Sequence, residues 1–288
     1  MIFNETFELN NGVKIPKLAL GTWLIGDDKA AKAVEEAIKI GYRHIDTAQA
    51  YGNEKGVGEG VRNSGISREE IFVTSKVAAE NKSYASAMAS IDKTLSKMNI
   101  GYIDMMIIHS PQPWVEVNQS ENRYYEENKE VWRALEDALN AGKVRAIGVS
   151  NFLERDLDNL LPSCKIKPMV NQILAHISNT PFELIKYCRD NGIVVEAYSP
   201  VAHGEAMKNP IIAKTAEKYG VSVPQLCIKY DLQLDMVVLP KTVNPEHMKS
   251  NSELGFTISD EDMELLKNIE RIKDYGNSSF FPVFGGKL

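Results

Sequence analysis

Short apolar runs alternate with helix-period segments along nearly the whole chain, and this alternation restricts the fold more than any other feature. Runs that read as strands cover residues 18–20, 44–46, 71–76, 105–109, 146–150, 169–172, 194–198 and 236–240. Most are apolar at successive positions, as parallel strands covered on both faces should be. Between them, Met88, Ile91, Leu95 and Met98 form one helical stripe, and Val131, Leu135, Ala138 and Leu139 another. Gly41, Gly142, Gly192 and Gly220 stand where such helices should stop. Ser67 with Glu70 and Ser259 with Asp262 have capping-box spacing. Eight strand–helix pairs in 288 residues predict an α/β fold of the (β/α)8 TIM-barrel type rather than an open doubly wound sheet. A β-hairpin is expected before the barrel, over residues 6–16 with its turn at Asn10-Asn11-Gly12. No Pro-, Gly- or Ser-rich linker interrupts the pattern, so residues 1–288 read as one domain.

Two segments fall outside the alternation, residues 110–122 and the tail 275–288. The tail carries Phe280-Phe281-Pro282-Val283-Phe284, too apolar to lie free in water. Either it plugs the barrel wall or it forms a flap that lines a substrate pocket over the barrel mouth.

The net charge of −6 argues against a nucleic-acid partner, which would call for a basic chain. Cys164, Cys188 and Cys227 are odd in number and lack Cys-x-x-Cys spacing, which suggests reduced thiols in a cytoplasmic protein. Neither a signal-peptide pattern nor an apolar run of membrane-spanning length is evident, so no membrane association is expected.

Four residues with proton chemistry fall at or just past the C-terminal ends of three expected strands: Asp46, Tyr51, Lys76 and His109. In a barrel those ends face one mouth, where chemistry happens. A cationic Lys76 beside Tyr51 would lower the phenol's pKa and ease proton donation, and Asp46 would keep Lys76 charged. His109 could hydrogen-bond a substrate oxygen. Singly, each has a plainer reading: Asp46 a turn cap before the helix after Asn53, Tyr51 a loop aromatic, Lys76 half of an ion pair, His109 a core histidine. A purely structural role predicts no such clustering. Ser150, Asn151 and Gln172, at the next strand ends, suit a primary amide such as a nicotinamide carboxamide. Tyr198 could lie against a flat heterocycle. Lys241, Thr242, His247 and Lys249 make a local basic group after the last strand, where barrels commonly bind phosphate; a solvated helix start fits them too.

Gly21-Thr22-Trp23, Asp46-Thr47-Ala48-Gln49-Ala50-Tyr51-Gly52-Asn53-Glu54 and Val73-Thr74-Ser75-Lys76 resemble signatures of the aldo-keto reductases. So do Gly148-Val149-Ser150-Asn151-Phe152, Val170-Asn171-Gln172, Ala197-Tyr198-Ser199-Pro200 and Leu239-Pro240-Lys241-Thr242, in order and at family spacing. The resemblance implies a monomeric NADPH-dependent reductase of carbonyls, with dicarbonyls or keto-sugars among its substrates. Tyr51 would be the general acid, and Asp46, Lys76 and His109 would complete the catalytic tetrad. Ser150, Asn151 and Gln172 would hold the carboxamide, and Tyr198 would stack on the nicotinamide. Lys241 and Thr242 would meet the 2′-phosphate, and Asn251 the adenine. Gly21, Thr22, Trp23, Ser199, Pro200, Val201 and Val243 would line the rest of the cofactor path. The Gly56-Val57-Gly58-Glu59-Gly60 run lacks G-x-G-x-x-G spacing and follows a loop, so it is not read as a dinucleotide site.

The chain departs from the family pattern in three places. His247 stands where an Arg usually clamps the 2′-phosphate, which would weaken NADPH preference and admit NADH. Ser110 and Val77-Ala78-Ala79 stand where many relatives carry Trp, implying a roomier, more polar pocket. Trp23, Trp114, Phe280, Phe281 and Phe284 remain as candidate lining, with Tyr51, His109 and Ser110 beside the substrate. Two other readings compete with the reductase: an NADPH-binding sensor with little turnover, and a lyase forming a Schiff base on Lys76.

Overall fold

In the computed structural model, which describes residues 2–288, eight parallel strands form the sheet the alternation calls for. A hairpin, β1 (Thr6–Glu8) and β2 (Lys14–Pro16), precedes them. The barrel strands are β3 (Leu20–Gly21), β4 (His44–Asp46), β5 (Phe72–Val77), β6 (Ile103–Ile108), β7 (Val144–Ser150), β8 (Val170–Leu174), β9 (Val194–Tyr198) and β10 (Val237–Leu239). They neighbour one another in chain order. Leu18 bridges Val238, and the Ala19 and Gly21 amides donate to the Val238 and Pro240 carbonyls (3.0 Å each), which closes the ring. Strand ends differ from expectation by a residue or two: β5 runs past Lys76, β6 stops before His109, and β8 continues beyond Gln172.

Helices α1 (Asp27–Ile40), α2 (Glu54–Asn63), α3 (Tyr84–Met98), α4 (Tyr125–Asn140), α5 (Glu154–Leu160) and α6 (Phe182–Asp190) follow β3 to β8 in turn. Two helices, α7 (Pro210–Lys218) and α8 (Val223–Gln233), lie between β9 and β10, and α9 (Pro245–Ser252) and α10 (Asp260–Lys267) follow β10. Both expected helical stripes face inward, with Ile91, Met98, Val131, Leu135 and Ala138 buried. Of the two capping boxes, neither closes fully. Ser259 Oγ accepts from the Asp262 amide, but the Asp262 carboxylate turns to Lys218. Ser67 precedes only a 3-10 turn, and its hydroxyl donates to Glu69.

The glycines of α2 serve packing. A Cβ at Gly56 or Gly60 would strike the α1 backbone, and one at Gly58 would strike Met98 at the end of α3. The three helices approach because those positions lack side chains. The hairpin caps the opposite, N-terminal end of the barrel, where Asn10 and Asn11 amides donate to the Pro168 and Arg145 carbonyls. A second apolar cluster, including Ile212, Leu226, Tyr230 and Met263, buries Tyr275 and Phe284 of the tail, so the tail is anchored. No helix among the described residues is long and apolar enough to cross a membrane.

Candidate active site

Alternation along each strand sends every second side chain into the barrel. On β4 and β5, paired with Asp46 opposite Thr74, this turns Asp46 and Lys76 toward each other. Lys76 is fully buried. Its Nζ donates to Asp46 Oδ1 (2.6 Å), Asp46 Oδ2 (2.8 Å), the Thr47 carbonyl (2.9 Å) and Tyr51 OH (3.3 Å). Burial by itself would strip the ammonium of its proton, but Asp46 and then Tyr51 outweigh burial and hold Lys76 above the ordinary lysine value. A lysine so held is a poor nucleophile, which speaks against Schiff-base chemistry. Asp46 is no helix cap; both carboxylate oxygens are taken by Lys76 and one also by Gln172.

The loop that presents Tyr51 is braced by its own side chains. Thr47 Oγ1 donates to Asn53 Oδ1 (2.7 Å), and Asn53 Nδ2 donates to the Thr22 and Ile25 carbonyls (2.9 Å each). Gln49 Oε1 accepts from the Ala78 amide (2.9 Å) beyond β5. A single 3-10 turn, Gln49–Tyr51, ends at Gly52 with φ of 70°, a left-handed angle that glycine takes without strain. Contrary to the sequence expectation, the Tyr51 phenol is raised, not lowered. Burial is the largest influence, and the Lys76 charge opposes it without prevailing.

His109 sits one residue past β6, its amide donating to the Val77 carbonyl (3.1 Å). Its ring meets Tyr51 and Trp114 edge-on, with centroids 5.6 and 5.1 Å away. Burial, reinforced by Lys76, keeps it well below the usual histidine range, so the imidazole is neutral. Its Nδ1 is buried and meets no partner among the described residues.

Asp46, Tyr51 and His109 line a cavity of about 560 Å³ with Gly21, Thr22, Trp23, Ser150, Asn151, Gln172, Tyr198, Ser199, Pro200, Val201 and Lys241, and Lys76 lies behind them. Lys241 pairs with no carboxylate among the described residues. Thr242, Val243, His247 and Asn251 do not line this cavity; Thr242 and Val243 precede α9, His247 and Asn251 lie within it, and Thr242 Oγ1 accepts from the Asn244 amide. The amide-bearing trio is already knitted together. Gln172 Nε2 donates to Asp46 Oδ2 (2.9 Å) and Glu196 Oε2 (2.8 Å), Asn151 Nδ2 donates to the His109 carbonyl and Ser150 Oγ, and Tyr198 OH donates to Asn151 Oδ1 (2.7 Å). What remains for a ligand is mainly acceptor capacity, plus the Ser150 hydroxyl, which donates to the Gln172 carbonyl.

Two substrate-side expectations need correction. Ser110 is buried outside the cavity, its carbonyl accepting from Lys82 Nζ (2.9 Å). Phe280 is 60% exposed and turned from the cavity. Tryptophan is not missing beside His109. Trp114 takes up that wall, packed on Phe281 at 5.0 Å, and Trp23 and Phe284 continue it. The tail therefore both plugs and lines. Sequence reading missed Met207, Gly204 and His203 in the lining. His203 lies 3.1 Å from both Ser199 Oγ and Ser278 Oγ, joining the loop after β9 to the tail. Its φ of 56° follows 49° at Ala202, a left-handed pair with no sequence signal beyond the adjoining Gly204.

The aldo/keto reductase family model matches residues 17–271. A glyoxal reductase of Bacillus subtilis (strain 168) is 39% identical over 274 residues, covering 94% of this chain and 95% of the relative. An aldo/keto reductase structure from Brucella melitensis matches with TM-score 0.84 at 36% identity, over 91% of this chain and 98% of that one. An aldo-keto reductase of Bombyx mori in complex with NADP matches with TM-score 0.84 at 29% identity, over 97% and 98%. Family model, relatives, barrel and cavity agree: the chain belongs to the aldo/keto reductase family and is a carbonyl-reducing oxidoreductase that uses a nicotinamide cofactor.

Proposed function

We propose that the enzyme reduces small aldehydes and α-dicarbonyls with NADPH, and that Tyr51 is the general acid. The observation that carries this reading is the contact of a permanently charged, buried Lys76 with both Asp46 and the Tyr51 hydroxyl at the floor of an aromatic-walled cavity. The bound nicotinamide supplies a hydride. The carbonyl oxygen then takes one proton, and the phenol, kept protonated by burial, holds one at Oη. As negative charge develops on the carbonyl oxygen, the Lys76 ammonium stabilises the phenolate left behind. Neutral His109 can bond the same oxygen without competing as an acid. Asn151 and Gln172 offer acceptors to a carboxamide nitrogen, and the Ser150 hydroxyl, by rotating, offers a donor to its oxygen.

For the cofactor's far end, Lys241 at the cavity rim, with no carboxylate partner among the described residues, favours the extra phosphate of NADPH, with Thr242 and Val243 before α9 and His247 and Asn251 on it following. Similarity to a glyoxal reductase, together with the Trp23, Trp114 and Phe281 wall, favours compact carbonyls over polyhydroxylated keto-sugars. The test is a cofactor-oxidation screen over glyoxal, short aldehydes, α-keto esters and keto-sugars, with NADPH and NADH in parallel. Turnover of the compact carbonyls with NADPH is expected. NADPH binding without oxidation of any of them would leave a sensor role instead.

A further inference from the structure

Below the tetrad, the barrel interior holds an acid that the reaction as described does not use. Glu196 projects inward from β9, fully buried, in a run otherwise apolar. Its Oε2 accepts from Gln172 Nε2 (2.8 Å), and the same nitrogen donates to Asp46 Oδ2 (2.9 Å). Gln172 thus spans two carboxyl groups with its two amide hydrogens, which fixes its carbonyl oxygen away from both and commits Asp46 Oδ2 to a second donor besides Lys76. Glu196 Oε1 is buried with no hydrogen-bond partner among the described residues, 3.9 Å from His44 Nε2.

We propose that Glu196 is a positioning residue for carbonyl reduction: through the Gln172 amide it fixes the Asp46 carboxylate, and with it the Lys76–Tyr51 contact. This inference rests on the reading of Tyr51 as the acid.

The surroundings also make the link sensitive to pH. The titratable groups facing Glu196 are His44 and Asp46 from β4 and Lys76 from β5; β8 and β10 present none. His44 is held neutral, lowered to about 3 chiefly by burial. Burial, then Asp46, pushes the Glu196 carboxyl up to about 8. Below that pH it is a neutral acid that accepts from Gln172 without repelling Asp46. Above it, two carboxylates share one amide, and their repulsion loosens Asp46 from its place. Tyr51 is raised above the ordinary phenol range, so its own ionisation falls at higher pH and is not confused with that of Glu196.

The test compares E196Q and E196L with the parent enzyme, measuring glyoxal-dependent NADPH oxidation across pH, NADPH affinity and thermal unfolding. E196Q keeps an oxygen for the Gln172 amide but cannot ionise. It should retain kcat at neutral pH and lack the decline in kcat expected of the parent near pH 8. E196L removes the acceptor, and its kcat should fall by about tenfold or more, within the roughly 10²-fold that a small misplacement of reacting groups can cost, with KM for glyoxal little changed. A folded E196L with parental kcat, or superimposable pH profiles for the parent and E196Q, would overturn the proposal. If E196L does not fold, the E196Q profile decides alone. Y51F, run alongside, separates the two readings: an active Y51F removes the acid assignment, whereas an inactive Y51F with an unaffected E196L removes only the role of Glu196.

Discussion

Replacing Tyr51 with Phe removes one oxygen and little else, and the surroundings allow its consequences for rate and stability to be separated. Of the four contacts made by Lys76 Nζ, the one to Tyr51 is the longest at 3.3 Å; Asp46 Oδ1, Asp46 Oδ2 and the Thr47 carbonyl remain at 2.6, 2.8 and 2.9 Å. The buried ammonium therefore stays paired, and the lost hydrogen bond costs about 1 kcal/mol or less. In a chain of this size, that is a shift of a few degrees in Tm. The aromatic contact with His109 survives because the ring is kept. A general acid contributes roughly 10²–10⁴ to rate, equivalent to about 3–5 kcal/mol of barrier at about 1.4 kcal/mol per decade. Y51F should lose that much in kcat/KM for glyoxal while binding NADPH as the parent does. Stopped-flow NADPH oxidation, fluorescence titration of NADPH and a thermal melt measure the three quantities. A loss below tenfold with an intact fold would refute the assignment, and an equal loss in cofactor affinity would make Tyr51 a binding residue.

Other perturbations strike different parts of the same construction. Lys76→Met leaves Asp46 buried with Gln172 as its one remaining donor among the described side chains, and urea unfolding should show a loss of about 3–5 kcal/mol, as for other buried pairs broken on one side; a loss under 1 kcal/mol would refute a stabilising role for the pair. Trp114→Ala removes the wall against His109 and Phe281, so kcat/KM should drop for glyoxal by about 1–3 kcal/mol equivalent and rise for bulkier aromatic aldehydes, a crossover that steady-state kinetics would detect. His44, lowered to about 3 in the folded chain, takes up a proton on unfolding anywhere between that value and the usual 6.5. The unfolded state thus binds more protons there, and stability should fall as pH drops through that window. His44→Gln should flatten that part of the curve in urea titrations at several pH values, and an unchanged slope would assign it to other groups.

The barrel was legible because its signal is repetitive. Eight apolar runs and the glycine stops of α1, α4, α6 and α7 repeat one local rule, and small errors at β5, β6 and β8 do not change which end of each strand faces the mouth. Asp46, Lys76 and Gln172 were equally accessible, since a strand end fixes both position and inward direction. Ser110 and Phe280 were misplaced because neither lies on a strand. Whether a loop or tail side chain faces the cavity depends on turns such as Tyr275–Ser278, and adjacent Phe280 and Phe281 part company, one to solvent and one to the lining. His203 was invisible for the same reason.

The phenol's direction of shift failed for a different cause. Sequence places a cation beside Tyr51 but says nothing of how little water reaches the pair, and here burial outweighs the cation. The same imbalance acts on Glu196 and His109, each of which is pushed toward its neutral form. The Asp46–Lys76 contact is instead an ion pair, in which each partner supplies the counterion that the interior withholds. The barrel floor is thus one ion pair ringed by neutral acids and bases. With Tyr51 as the proposed acid, such a site would give up the phenol's proton only to a strongly basic oxygen, such as that of a carbonyl accepting a hydride. On that proposal, the burial that raises the phenol's pKa would guard against premature ionisation, and Lys76 would lower the cost of the phenolate at the moment it forms.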